Sequence, residues 1–522
     1  MQAIESHDEV ARILSAETAS LRAENALLKQ QIQQLQSQLD WFKNQLFGQK
    51  SEKRTGVDNP FQGNLFEAPA APVPEVQPTE QISYNRRTTK QRDEGCVTDQ
   101  GLRFDDSVPV EVIEIPAPEL EGPEAEQYEV IDHKITRRLA QRPGSYVVLE
   151  YRRPVLKHKP SQTLTTMAAP AAVLEGCLAD VSLLAGILVD KFVYHLPLYR
   201  QHQRMQAAGI TLSRTTLTNH TRRTIDLLIP IFDAQLTNVL RSRVLAMDET
   251  PIKAGQKHKG KLHQGWLWPL YGQQQEVCFS YTDSRAAKHI HEILVDFKGV
   301  LLCDGYSAYD AYAKAKPDVT LAQCWSHTRR YFVKAEAIEP QAATAALDLI
   351  AQLYQVEDAI KEKSIDGEKK RDYRAKYAKP LVDVFFAWCW EQRQRTDLVN
   401  SNPLSKALVY VENHREQLQV YLSDPDVPID TNHVERELRP IPMGRKNWLF
   451  AWTELGAKHI AIIQSLLVTC RLHGVDPYVY LVDVLQRISQ HPAKDVEDLT
   501  PRVWKQKFAQ NPMKSDLGGV SK

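Results

Sequence analysis

Two aspartates stand where metal chemistry is easiest to place. Val244-Leu245-Ala246-Met247 is a short apolar run that ends abruptly in Asp248, Glu249, Thr250 and Pro251, and Gly299-Val300-Leu301-Leu302-Cys303 runs in the same way into Asp304 and Gly305. Four to five apolar residues bounded by charge, Gly or Pro read as a buried strand, so each Asp is delivered at a strand end. Carboxylates on neighbouring strands can share divalent cations, and hard oxygen ligands favour magnesium or manganese over zinc. An Asp also ends strands and caps helices for purely structural reasons. A third carboxylate with cations beside it is therefore needed, and Asp430-Thr431-Asn432-His433-Val434-Glu435-Arg436-Glu437-Leu438-Arg439-Pro440 supplies both. On a helix Val434 and Leu438 share one side, with Glu435 and Arg439 on the adjacent one. Glu435 becomes the third metal carboxylate, and Arg436 and Arg439 can hold phosphates. Arg445 and Lys446 are then interleaved with Trp448, a pattern suited to backbone contact plus base stacking. A Trp buried in a core is the competing reading.

The elements that must position these groups follow from the hydrophobic pattern. After Asp248 come a hairpin pattern (Leu262 to Tyr271, a turn at Gly272-Gln273, Val277 to Tyr281), a helix over Ala286 to Leu294, the Asp304 strand, a strand at Thr320 to Cys324 and a basic helix from His327. The order is β-β-β-α-β-α-β-α, with the two Asp residues ending the first and fourth strands. That order matches ribonuclease H-like nucleotidyl transferases, whose mixed sheet sets the carboxylates side by side. From about Tyr331 to Asp424 the pattern is helical and charged, an all-α insertion between the second and third carboxylates.

Upstream, Leu14, Leu21, Leu28, Leu35 and Phe42 recur every seven residues, with Asn25, Ile32, Leu39 and Leu46 at the complementary position. This is a coiled-coil seam over 1–50, and its single Asn is the kind that sets register and oligomer state, so self-association as a homodimer or higher is expected. A Pro- and Gln-rich linker follows over 51–95. Residues 105 to 132 carry ten acidic side chains and no Lys or Arg, and flank a small β module over 96–160. Over 161–240 two helical patterns separated by Gly209-Ile210, the second capped by Ser213, form a candidate helix-turn-helix. Arg200, Arg204, Arg214, Arg222 and Arg223 would give it a basic face for DNA, although a solvated helical face explains the same arginines. The core is expected over 241–335 and again over 425–490, with the insertion over 336–424 and a loosely ordered tail over 491–522.

Composition narrows the rest. At 522 residues the chain should hold roughly three to four units. The formal charge is zero, 65 basic against 65 acidic residues, so partners must be read from local asymmetry. Seven scattered cysteines form no C-x-x-C pair, which argues against a disulfide framework or a ribbon-type zinc site and fits a reducing cytoplasm. MQAIESHDEVARIL is not a signal pattern and no apolar run reaches membrane-spanning length, so a cytoplasmic location is expected.

The chain resembles, along nearly its whole length, the large transposases of the insertion sequence 66 family. The resemblance rests on LFGQKSEK (Leu46 to Lys53), HLPLYRQ (His195 to Gln201), MDETP (Met247 to Pro251), CDGYSAY (Cys303 to Tyr309), CWSHTRRYF (Cys324 to Phe332) and the long DTNHVERELRPIPMGRKNWLF (Asp430 to Phe450). It implies a DDE transposase with Asp248, Asp304 and Glu435 as the triad; Glu249 and Glu437 match no catalytic position. It implies hydrolysis at the ends of a mobile element, then attack of the freed 3′-hydroxyl on target DNA, with Mg2+ or Mn2+ on the triad. Neither His327 nor His433 is needed as a general base. The implied partners are the terminal inverted repeats, target DNA and accessory proteins of the same element. Family members commonly carry paired C-x-x-C zinc ligands after the zipper. Here only Cys96 stands in that region, so zinc is not expected, and packing is the expected role for the C-x-x-H of Cys324 and His327. A metal-dependent nuclease without strand transfer and a non-catalytic DNA-binding regulator are the alternatives.

Overall fold

A computed structural model of the chain describes residues 103–104, 108–121, 124–142, 144–258, 261–449, 451 and 453–517. The expected coiled coil, the linker and Cys96 lie outside the described residues. The described chain is mixed α/β. Its first sheet is built on Ser145–His158 (β3), which runs parallel to Val110–Glu114 (β1) and antiparallel to Tyr128–Arg142 (β2) and Leu164–Thr166 (β4). The acidic stretch is thus part of the module rather than beside it, since β1 and the start of β2 lie within it. Arg137 and Arg152 both donate to Glu150 at 2.7 and 2.9 Å, neutralising a buried carboxylate in β3.

Four helices follow: Val181–Phe192 (α1), Leu198–Ala207 (α2), Arg214–Leu227 (α3) and Ile229–Leu240 (α4). Local chemistry sets their starts. Asp180 accepts from the Ser182 amide and Ser213 from the Thr216 amide, each satisfying one of the otherwise orphaned N–H groups of a first turn. Leu217 and Ile225, about two turns apart on α3, pack into the main core with α1 and with Ile231 of α4.

The second sheet has six strands: Val244–Met247 (β5), Thr250–His258 (β6), Lys261–Gly272 (β7), Val277–Thr282 (β8), Gly299–Cys303 (β9) and Val319–Gln323 (β10). The order is β8-β7-β5-β9-β10, with β6 also paired to β7. β5, β9 and β10 are parallel, while β7 runs antiparallel to β5 and β8. All four residues of β5 are buried, as an apolar run covered on both faces must be. The expected order contained no β6. Its polar sequence, TPIKAGQKH, hides a strand because it is one arm of a hairpin whose register comes from β7, not from an apolar stripe. One end of β7 pairs with β5 and the other with β6, so Asp248 and Glu249 occupy a break between two strands that share a partner.

Helices Ala287–Ile293 (α5), Ser307–Ala315 (α6) and Trp325–Ala335 (α7) alternate with the last strands. Pro340–Glu362 (α8), Gly367–Arg393 (α9) and Pro403–Asn413 (α10) make the helical insertion. Its anchor is Arg374, fully buried, which forks onto Glu357 at 2.8 and 2.7 Å and donates to the carbonyls of Tyr421, Asp424 and Val427 at 2.7 to 3.1 Å. Those carbonyls belong to the segment that leads into Asn432–Leu438 (α11), which carries Glu435. Lys could not fork onto a carboxylate and reach the carbonyls together. Arg374→Lys is therefore expected to destabilise the chain by about 3 kcal/mol, measured as a loss in urea midpoint; an unchanged midpoint would contradict the anchor.

Pro440–Trp448 (α12), Glu454–Leu472 (α13), Pro477–Arg487 (α14) and Pro501–Lys507 (α15) close the fold. Among the described residues α13 is the one helix long and apolar enough to cross a membrane, and it is mostly buried. It packs on the outer strand β8, where the Val277 and Phe279 amides donate to Thr469 and Ser465 at 3.1 and 2.8 Å. Helix hydroxyls thereby cap an edge that would otherwise be left unpaired. Over its described residues, 491–517, the tail is tied down rather than loose. Trp504 is buried and donates to Asp483 at 2.9 Å, and the Tyr151 hydroxyl donates to Asp516 at 2.7 Å.

Candidate active site

The chain breaks its sheet at Asp248 and turns after β9 at Asp304. Each carboxylate uses one oxygen to hold its own turn: Asp248 Oδ1 accepts from the Glu249 amide at 2.8 Å and Asp304 Oδ1 from the Tyr306 amide at 3.0 Å. The second oxygen of each accepts no hydrogen bond from the described residues. Turn-making and ligand-offering are thus performed by the same side chains. Gly305 is required next to Asp304 because a Cβ there would strike the Tyr410 ring of α10, so the insertion presses directly on this turn.

Asp248, Glu249 and Asp304 offer oxygens that all lie within 4.8 Å of one another. A cavity of about 460 Å³ opens over them, and Glu435, His327 and Arg330 form its facing wall. Glu435 Oε1 accepts from Arg330 at 2.7 Å and lies 3.6 Å from His327 Nε2. The structure therefore brings Asp248, Asp304 and Glu435 to one cavity, with Glu249 the nearest companion of the two aspartates. Glu249 was set aside in the sequence; it is committed on both oxygens, accepting from Arg285 and, at 2.9 Å, from the Tyr309 hydroxyl. Arg285 is in turn stacked 3.9 Å from the Tyr306 ring centroid and 5.1 Å from that of Trp266. Glu437 points elsewhere, buried and paired with Arg471.

Crowding of acids shows in their protonation. Burial, the Asp304 charge and the Asp248 charge push Glu249 up to about 7 against the pull of Arg285. Burial pushes Asp248 up to about 6, helped by Asp304 and Glu435 and opposed by the Glu249 amide and His327. A cation binding there would have to displace those protons. Manganese affinity, followed by the paramagnetic signal of free Mn2+, is expected to hold above pH 7 and to fall about tenfold or more between pH 7 and 5.5. A flat profile would contradict the clustering.

Cys324 and His327, a C-x-x-H in sequence, do different things. Buried Cys324 accepts from the Thr431 amide and hydroxyl, both at 3.2 Å, tying the end of β10 to the residue before α11. His327 lines the cavity; burial disfavours its imidazolium, but the Cys324 sulfur and the Asp248 carboxylate outweigh that and hold its pKa above the ordinary value. His433 packs edge-on against Tyr271 at 4.7 Å, and burial draws it down to about 4.

The basic residues separate into two groups. Arg439 lines the cavity and Arg436 is exposed beside it in sequence. Arg445, expected on DNA, instead donates to the Pro251 carbonyl at the start of β6 and is half-buried, while Lys446 is exposed. Arg223 is spent on the Glu175 carbonyl at 3.0 Å and Arg204 on Asp190 and Tyr146, so they are not part of a free basic face. Arg200, Arg214 and Arg222 are exposed. Trp448 does both things weighed for it: it packs against the main core and lines a surface groove. Sequence reasoning missed Arg285 and Arg330 as cavity cations. For Arg330 a signal existed, since His327 and Arg330 fall three residues apart on one helix face.

An open cavity on the mixed α/β core thus gathers carboxylates and cations. The family model described as "Transposase IS66 family" matches residues 176–459, and the "IS66 C-terminal element" matches 465–502. The chain belongs to the IS66 family of transposases, and its function lies in transposition. Relatives in Sinorhizobium fredii include the uncharacterized protein y4qI, 32% identical over 382 residues and covered over 70% of each chain. The uncharacterized protein y4hP is 29% identical over 398 residues, covering 72% of this chain and 71% of that one.

Proposed function

We propose that the chain is a DDE transposase that cleaves DNA at the ends of an insertion sequence and joins the freed 3′-hydroxyl to target DNA. The carrying observation is the meeting of Asp248, Asp304 and Glu435 at one cavity flanked by Arg285, Arg330 and Arg439. The strand order, third-second-first-fourth-fifth once β6 is taken as an extension of the first strand, supports a ribonuclease H-like core over 241–335 and 425–490 interrupted by the helical insertion. Three all-oxygen donors, each with one oxygen that accepts no hydrogen bond from the described residues, suit Mg2+ or Mn2+ better than a soft-ligand metal. A divalent cation held there supplies activation of the entering oxygen and charge relief on the leaving one.

The chain's own side chains do the rest. Arg330 and Arg439 face the cavity from the Glu435 side and can fork onto phosphate oxygens. As Arg330 turns to a phosphate, Glu435 is released toward the aspartates. His327, whose pKa the Cys324 sulfur and the Asp248 carboxylate raise against burial, lines the cavity beside Glu435 and can donate to a phosphate oxygen. Residues 161–240 and the segment after Glu435 act as DNA-contacting surfaces through Arg214, Arg222, Arg436 and Lys446, with the terminal repeats and target as partners. The heptad region would join copies so that two ends are held at once, and accessory proteins of the element fit the same picture.

A labelled element end, a target plasmid and Mg2+ test this directly. Wild type is expected to give joined products; nicks alone would mark a nuclease, and binding alone a regulator.

A further inference from the structure

A groove of about 740 Å³ lies between α1, α2 and α3 on one side and the end of α12 with the start of α13 on the other. Its polar rim is one-signed. Lys191, Arg200, Arg214 and Arg222 line it, and no Asp or Glu does. None of the four is ion-paired to a described residue; Lys191 and Arg214 merely lie over the Phe192 and Tyr199 rings at 5.2 and 5.6 Å. Burial with no counter-ion draws the part-buried Lys191 ammonium down to about 8. Elsewhere in the same helices Arg204 has its carboxylate, so the missing partners are a property of this groove.

Its floor is apolar, formed by Phe192, Leu217, Ile225, Trp448 and Ile460. At its rim Leu449 holds φ 63°, a left-handed conformation unfavourable for Leu, and is 63% exposed, as Tyr199 is 55% exposed. Four unneutralised cations ask for a polyanion, and an apolar, aromatic concavity asks for a flat apolar face. A duplex offers phosphates with its bases stacked inside, whereas a single strand offers both. The groove and the carboxylate cavity are also joined by one helix: Pro442 of α12 lines the cavity and Trp448 lines the groove. Six residues of helix separate them by about 9 Å, a few nucleotides of strand at most.

We infer that this groove binds a single DNA strand, with an unstacked base against Trp448 and Leu449 and its phosphates on Lys191, Arg200, Arg214 and Arg222. The inference rests on the reading that the chain acts on DNA, and adds that the strand is unpaired beside the cleaved phosphate.

Fluorescence anisotropy of the full chain in EDTA, with a labelled 20-nucleotide single strand and the blunt duplex of the same sequence, tests it. Trp448→Leu keeps an apolar side chain and removes the ring; it is expected to weaken single-strand binding about tenfold and leave duplex affinity within twofold. A triple change of Arg200, Arg214 and Arg222 to Gln, all exposed, is expected to lower the salt slope for the single strand by about two. Equal losses on both DNAs would make this a duplex surface and overturn the inference. Unchanged single-strand binding in both variants would mean that something else, such as a segment of the chain itself, fills the groove. Wild type that binds neither DNA would sink the DNA reading as well; wild type that binds while the variants behave like it sinks the groove alone.

Discussion

Asp248→Asn is expected to abolish strand joining while making the metal-free protein more stable. The activity loss follows from removing a carboxylate that no neighbour replaces: losing about 4 kcal/mol of transition-state stabilisation is a thousandfold. The stability gain follows from the raised pKa of about 6. An acid whose folded pKa lies above its unfolded value binds more protons when folded, so its contribution to stability is present below the unfolded pKa and lost as pH rises through the folded one. Above pH 6 the charged Asp248 therefore works against the fold, by at most about 3 kcal/mol. Asn keeps the oxygen that accepts from the Glu249 amide and removes the charge. In EDTA at pH 7.5 its melting temperature should exceed wild type by a few degrees, and Mg2+, which should raise the wild-type value, should do little to the variant. A variant less stable than wild type in EDTA would show that Asp248 serves the fold and not a ligand.

The second expected result separates two glutamates that compete for one role. Glu435→Gln should lower strand joining about a hundredfold or more, because its one spare oxygen faces the cavity and amide nitrogen cannot replace it. Glu249→Gln should lower it less than about tenfold. Glu249 already spends both oxygens on Arg285 and Tyr309, and burial beside Asp304 pushes its pKa up to about 7, which favours the neutral form that Gln imitates. Single-turnover joining rates at saturating DNA read the difference. The reverse order would move the third carboxylate to Glu249, the nearer residue.

Much of the site could be read from residue order. Apolar runs ending in Asp248 and Asp304 are strands because nothing else buries four consecutive apolar residues so briefly, and parallel pairing of β5 with β9 puts their ends side by side. Glu435 on a short helix followed that same logic. Tertiary partners were not legible. Nothing local says that Arg445 will reach the Pro251 carbonyl, that Arg223 will hold Glu175, or that Arg374 will pin the segment before α11, since each bond joins residues far apart in the chain. β6 was invisible because a hairpin arm borrows its register from its partner. The ordering of the tail was missed because Trp504, a lone aromatic among charges, finds Asp483 only in the folded chain.

Manganese anomalous scattering from crystals of the full chain grown with Mn2+ reads the cation's seat directly. The expected peak lies between the Asp248 and Asp304 carboxylates, with Glu435 turned from Arg330 toward it. A peak on Asp248 and Glu249 with Glu435 still bound to Arg330, or no peak at this cavity, would contradict the account.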